Sequence, residues 1–145
     1  MCILDRFVKV SESVVLPVGK TVKFINDIDG TLEVSADPTH LYNILNNLVE
    51  NAVKYSSSHV EIKAETAIHN GFVELRISDT GDGIPSSDLK HIFKRFYRGK
   101  AGNRDLPGMG LGLTYVKLLV EAHGGDITVE SMEGEGTCFT IKLPQ

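Results

Sequence analysis

Asn47, Asn51, Lys54 and Tyr55 lie three to four residues apart or adjoin, at the end of a run in which Leu41, Ile44, Leu45, Leu48, Val49, Ala52 and Val53 recur at helical spacing. On a helix those four share one side of the last two turns. A carboxamide oxygen suits a hard cation, and an ammonium beside it reaches phosphate as a point charge. The same residues also suit a merely solvated face, and alone they decide nothing. Asp79-Thr80-Gly81-Asp82-Gly83 ends a strand-like run. One of its aspartates can accept from an amino group while its glycines admit a flat ligand; a plain turn reads the same way. Gly108-Met109-Gly110-Leu111-Gly112-Leu113 leads straight into a helix. Glycine N–H groups at a positive helix end make an anion site, and a flexible hinge is the equal alternative. It is no P-loop, since no Gly-Lys-Ser/Thr follows, and a long loop rather than a strand precedes it.

The elements that must position these stretches can be read in part. Asp37 ahead of Pro38 predicts a capped helix start, with the helix running to about Tyr55. Residues 1–19 carry little signal and are expected to form a linker or an edge strand at Val14–Pro17. Val22–Asn26 and Leu32–Ala36 are expected as a hairpin. His59–Glu65 and Phe72–Ser78 alternate polar and apolar around Asn70-Gly71, the strongest hairpin in the chain. Ser86 or Ser87 is placed to cap a short helix reaching His91 and Phe93. Ile92–Arg98 contributes aromatics for a core or lid anchor, and Arg95 and Arg98 could reach phosphate or only face solvent. Residues 98–110 are polar and glycine-rich, a loop length that is functional or disordered inside a domain. Leu111–His123 is helical with Gly124 as its stop, and strands at Asp126–Met132 and Cys138–Leu143 flank a glycine turn at Gly134–Thr137, where a small hydroxyl could support Asp79. The sum is an α+β fold: a two-layer α/β sandwich, with a mixed, mostly antiparallel sheet of about five strands under about three helices on one face.

Composition narrows the classes. The 145 residues are 41% hydrophobic and 23% charged, with net charge −4 and a pI near 5.7, and no basic excess points to nucleic acid or an anionic membrane. No apolar run approaches the roughly 20 residues of a membrane span, and the start is not expected to be a signal peptide. Cys2 and Cys138 match no metal spacing and are expected to be reduced in a cytoplasmic setting. None of the five histidines has metal-ligand spacing, and no Ser/His/Asp order is legible.

Taken in order, the motifs resemble those of sensor histidine kinases. Asn47–Ser56 resembles the N box, Asp79–Ile84 the G1 box, Ile92–Arg98 the F box, Gly108–Leu113 the G2 box, and Gly134–Thr137 the final glycine turn. Five matches in order over about residues 20–143 are specific where each alone is modest. The resemblance is to the GHKL superfamily and implies the Bergerat ATP-binding fold, ATP and Mg²⁺. It implies that Asn51 ligates Mg²⁺, that Asn47 supports the triphosphate and metal water, and that Lys54 contacts phosphate. Tyr55 is implied to pack on adenine, Asp79 to accept from the adenine amino group, and Gly81 and Gly83 to shape that wall, with Thr137 behind the base. Residues 98–110 are implied to be the ATP lid, with Gly110 and Gly112 offering backbone to phosphate, and Ile84, Arg98, Gly108, Leu111 and Leu113 completing the ATP-binding set. The implied reaction is γ-phosphoryl transfer to a histidine, driven by positioning and charge neutralisation.

One departure bears on this. In such kinases the phosphoacceptor histidine is followed by an acidic residue, and none of the five histidines here is. The chain is therefore expected to be the catalytic ATP-binding domain alone, residues 1–145. Its expected partners are a histidine-containing dimerisation domain and, downstream, the receiver domain of a response regulator, with no nucleic acid and no membrane contact. The alternatives are a GHKL ATPase, which carries a glutamate base where this chain has Asn47, and a regulatory module that binds nucleotide without transfer.

Overall fold

In the computed structural model, which describes residues 2–94 and 112–145, the chain runs α1 (Ile3–Ser13), β1 (Thr21–Asp27), α2 (Pro38–Lys54), β2 (His59–His69), β3 (Phe72–Asp79), α3 (Ser86–Leu89), α4 (Gly112–Ala122), β4 (Asp126–Met132) and β5 (Gly136–Pro144). The five strands form one sheet in the order β1-β2-β3-β5-β4. β1 runs parallel to β2 and every other pair is antiparallel. Alternation decides which face is covered. Val60, Ile62 and Ala64 on β2, Val73, Leu75 and Ile77 on β3, and Phe139, Ile141 and Leu143 on β5 are buried. The residues between them are polar: Lys63 reaches Asp27 at 3.5 Å and Glu65 at 3.0 Å, and Arg76 reaches Glu65 at 3.6 Å. The expected two-layer α+β arrangement is therefore the one observed, with helices over the apolar face.

α2 lies at the centre of that layer. It buries Leu41, Ile44, Leu45, Leu48, Val49, Ala52 and Val53, and the core it shares includes Ile3, Phe7 and Val10 of α1 and Val116 and Val120 of α4. Both its ends are fixed. The Asp37 carboxylate accepts the N–H groups of Thr39 and His40 at 2.8 and 3.0 Å, and Pro38 occupies the first turn. At the other end Lys20 Nζ donates to the carbonyls of Val53 (2.7 Å) and Lys54 (3.2 Å), and Ser56 Oγ also donates to Val53 O at 2.7 Å. These groups satisfy carbonyls that the helix leaves open, and the ammonium suits its negative end. His123 joins α4 to the start of α2. Its Nδ1 lies 2.7 Å from Leu119 O and its Nε2 lies 3.2 Å from the Asp37 N–H. A carbonyl only accepts and an amide N–H only donates, so the proton sits on Nδ1.

The cap gives a first prediction. The N–H of His40, then that of Thr39 and the nearby imidazoles, hold the Asp37 carboxyl below its ordinary value of 3.8 against desolvation. A depressed carboxyl contributes stability above its unfolded value and loses it as pH falls through the folded one. Asp37→Ala is expected to lower the melting temperature by a few degrees at pH 7, with the gap closing as pH falls below the ordinary 3.8 and through the lowered folded value, as calorimetry across pH would show.

Three sequence expectations are corrected. Residues 3–13 are helical rather than a linker, because Ile3, Phe7 and Val10 fall on one buried stripe, and Val14–Pro17 is not a strand. Leu32–Ala36 is not the partner of β1; among the described residues its only ladder contact is one bridge between Glu33 and Cys2. The Asp29 carboxylate turns the chain there by accepting from the N–H and hydroxyl of Thr31 at 2.9 and 2.7 Å, and Leu32 and Val34 drop into the core instead. Ser86 opens α3 rather than capping it, and that helix ends at Leu89. The Asn70-Gly71 turn is as expected, both residues at positive φ (50° and 81°).

Candidate functional site

The register across the sheet places Ile62, Asp79, Thr137 and Ser131 in one row on the covered face. Across β3, β5 and β4 the next row is Ile77, Phe139 and Val129, and the one after it is Leu75, Ile141 and Ile127, all apolar. A carboxylate and two hydroxyls thus replace the core at one end of the sheet, beneath the end of α2. Burial pushes the Asp79 carboxyl above its ordinary 3.8, and the exposed Asp82 adds to this. The N–H groups of Gly81, at 2.8 Å, and Thr137 act in the opposite direction without cancelling it. Of the two aspartates left open by sequence, Asp79 is therefore the one aimed inward. Asp82 is exposed and accepts from Ser57 Oγ at 3.1 Å.

The turn after β3 is bound to α2 by its backbone. The Asp82 N–H donates to Tyr55 O at 3.0 Å, and Gly81 is packed so that a Cβ would meet Asp79 Oδ1 at 2.9 Å and Tyr55 O at 3.0 Å. On the far side Gly134 N–H donates to Asp82 O at 2.8 Å, and the Ile84 N–H donates to Ser131 Oγ at 2.7 Å. Gly83, at φ +75°, lies so close that a Cβ would run into the carbonyl of Met132. Gly136 is similar: φ is +129° and a Cβ would strike the carbonyl of Asp79. These contacts hold the two turns and the helix end as one unit. Thr137 is buried, but its hydroxyl pairs with Ser131 Oγ at 2.8 Å, whereas its support for Asp79 comes through the backbone N–H.

α2 presents the second wall. Asn47 is half-buried and its Nδ2 donates to Asn43 O at 2.7 Å. That bond commits the amide nitrogen and leaves Oδ1 towards α4, where it lies 3.0 Å from the Cβ position of Gly112. The half-buried carboxamide of Asn51 has no hydrogen-bond partner among the described residues. The Lys54 ammonium stands 5.4 Å from the Tyr55 ring centroid. Leu113 and Ile84 pack partly against the core. The structure thus gathers Asn47, Asn51, Lys54, Tyr55, Asp79, Gly81, Gly83, Ile84, Gly112 and Thr137 around the end of α2. Arg98, Gly108, Gly110, Leu111 and the whole stretch 98–110 expected as a lid lie outside the described residues. Two residues escaped the sequence reading. Lys20, which fixes the end of α2, gives no local signal. Ser131 does give one, as a hydroxyl at the third inward position of a strand that begins Ile127, Val129.

The donor set fits a nucleotide with a hard cation. Among the described residues no group of three or more His, Cys, Asp and Glu is placed to hold a metal. The available ligands are carboxamide oxygens, which suit an ion that keeps water and phosphate oxygens in its shell. The buried carboxylate offers an acceptor to an amino group. Gly112 gives a testable point: in Gly112→Ala the methyl must displace Asn47 Oδ1 by a few tenths of an ångström. We expect an unchanged melting temperature and a several-fold weaker ATP affinity by calorimetric titration.

Comparison with known proteins agrees with this geometry. Residues 36–145 match the family model "Histidine kinase-, DNA gyrase B-, and HSP90-like ATPase". The chain is 39% identical to the sensor histidine kinase WalK of Bacillus subtilis (strain 168) over 98% of its own length, and spans 23% of that protein. The structure of the mycobacterial sensor histidine kinase MprB superposes with a TM-score of 0.81 at 30% identity, covering 98% of this chain and 93% of that one. Full-length ShkA in complex with AMPPNP superposes with a TM-score of 0.79 at 30% identity, covering 99% of this chain and 30% of that one. No helix among the described residues is long and apolar enough to cross a membrane.

Proposed function

Because the chain belongs to the histidine kinase-, DNA gyrase B- and HSP90-like ATPase family, we propose that it is the catalytic domain of a sensor kinase, binding ATP with Mg²⁺ beneath the end of α2 and transferring the γ-phosphoryl to a histidine on a separate dimerisation domain. The observation that carries this reading is the polar row of Asp79, Thr137 and Ser131 at one end of a mostly apolar sheet face, together with the half-buried carboxamide of Asn51 in the last turn of α2, which has no hydrogen-bond partner among the described residues.

Each residue then has a task. Asp79 accepts from the adenine amino group, and Gly81, Gly83 and Ile84 form the wall against which the flat base lies, with Tyr55 on its face and Thr137 behind it. Lys54 places a positive charge near the triphosphate. Gly112 and Leu113 bring the N-terminal end of α4 towards the phosphates, where helix N–H groups favour anions. Arg98, Gly108, Gly110 and Leu111 join this set on sequence alone. Asn51, supported by Asn47, would hold Mg²⁺; when bound, that ion neutralises charge on the phosphate oxygens. In the transfer a bond forms between the acceptor imidazole nitrogen and the γ-phosphorus, the bond from that phosphorus to the β–γ bridging oxygen breaks, and ADP leaves with its electron pair. The protein's part is to hold the phosphoryl in line and exclude water. Residues 1–145 act as one domain, in the cytoplasm, within a parent protein that passes its phosphoryl to a receiver domain.

The test mixes this chain with the dimerisation domain of its parent kinase and γ-labelled ATP. Acid-labile, base-stable label on the partner histidine is expected. Absence of label on a correctly folded partner would contradict transfer, and steady hydrolysis without label would favour an ATPase.

A further inference from the structure

Ser131 belongs to no motif singled out in the sequence, yet it stands at a junction of three hydrogen bonds. Its Oγ accepts the Ile84 N–H at 2.7 Å, lies 2.9 Å from Gly136 O, and lies 2.8 Å from Thr137 Oγ1. A serine hydroxyl has one proton and two lone pairs. Gly136 O can only accept, so it takes the Ser131 proton. The Ile84 N–H fills one lone pair. The contact with Thr137 is then satisfied only if the Thr137 hydroxyl donates into the second. The Thr137 proton is thereby turned towards Ser131, away from Asp79, and Thr137 keeps only lone pairs for anything beyond. Asp79, its neighbour in the row, is likewise an acceptor when ionised.

We propose that Ser131 is a specificity-determining residue: by fixing the direction of the Thr137 proton, it makes the base pocket present acceptors only, so the site takes 6-aminopurine nucleotides and refuses 6-oxopurines. This rests on the reading above that Asp79 and Thr137 face the base. A purine bearing an amino group at C6 offers N–H donors to such a wall. A 6-oxo group turns a lone pair towards it, and lone pairs facing one another without a proton are costly. Without Ser131 the Thr137 hydroxyl is free to rotate and donate to that oxygen. Ser131 acts through Thr137 and is a positioning residue rather than one touching the nucleotide.

The experiment measures ATP and ITP affinities of the 145-residue chain by titration, for the unmodified protein, Ser131→Ala, Ser131→Thr, Thr137→Val and the double variant. The unmodified chain should prefer ATP. Ser131→Ala should reduce the ATP-to-ITP ratio about tenfold, mainly by improving ITP, and Ser131→Thr, which keeps the hydroxyl, should retain it. In the Thr137→Val background the alanine change should leave the ratio where it is, because the coupling passes through the hydroxyl already removed. Equal weakening of both nucleotides in Ser131→Ala would overturn the proposal and leave Ser131 as a turn support only. So would an additive effect in the double variant. Should the alanine variant not fold, Ser131→Cys, whose thiol is a weak partner, gives the same reading of the ratio. A chain that binds no nucleotide would instead strike at the proposed function itself, which separates the two failures.

Discussion

Asn51→Ala is expected to lower the affinity for ATP about 10- to 100-fold in the presence of Mg²⁺ and to change it little when the cation is chelated. The Asn51 side chain has no partner among the described residues and projects from the last turn of α2, so its removal strands nothing inside the protein. A lost interaction with a charged centre costs about 1.5–3 kcal/mol, which sets that range. Alanine is also the better helix former, so the melting temperature should hold or rise. Calorimetric titration with and without EDTA reads the difference. Equal losses in both conditions would remove Asn51 from any metal role.

Asp79→Asn should move stability and binding in opposite directions. Burial raises the Asp79 carboxyl despite the Gly81 and Thr137 N–H groups. For a raised carboxyl the folded state holds its proton more tightly than the unfolded chain, so stability falls as pH rises from the ordinary 3.8 through the folded value. At neutral pH the ionised group is a net cost to the fold, and the neutral amide removes it. The variant should therefore melt higher than the unmodified chain at pH 7, with the advantage vanishing at pH 3. The same change puts an NH₂ where an acceptor is needed, and ATP affinity should fall about 100-fold or more, with GTP affected far less. In the unmodified protein, ATP binding should weaken as pH falls through the Asp79 titration, because the bound amino group favours the ionised form. A variant less stable at pH 7, or equal losses for ATP and GTP, would remove this account of Asp79.

Much of this site could be read before the fold was known, for physical reasons. Seven apolar residues at helical spacing behind Asp37-Pro38 leave one orientation for α2, and that fixes Asn47, Asn51 and Lys54 on the opposite side. β2 and β3 alternate cleanly around Asn70-Gly71, so Asp79 had to fall at a strand end. Where a residue's task depends on a partner distant in sequence, the local pattern was silent. Lys20 finds the end of α2 from more than thirty positions away. The parallel pairing of β1 with β2 depends on a crossover through α2 that no short-range signal records, and a hairpin was expected in its place. α1 was obscured because only three residues of an 11-residue helix are buried, which makes a short apolar stripe on a largely polar segment. Thr137 was expected to support Asp79 through its hydroxyl; only the register reveals Ser131 as the closer partner.

The central claim is that the polar row and the carboxamide face of α2 enclose a magnesium nucleotide. Isothermal titration of the 145-residue chain with ATP tests it directly. The account predicts saturable one-to-one binding that tightens on adding Mg²⁺ and disappears in an Asn51→Ala, Asp79→Asn double variant that still melts cooperatively. Binding indifferent to the cation and to both substitutions, or no binding by the folded chain, would contradict it.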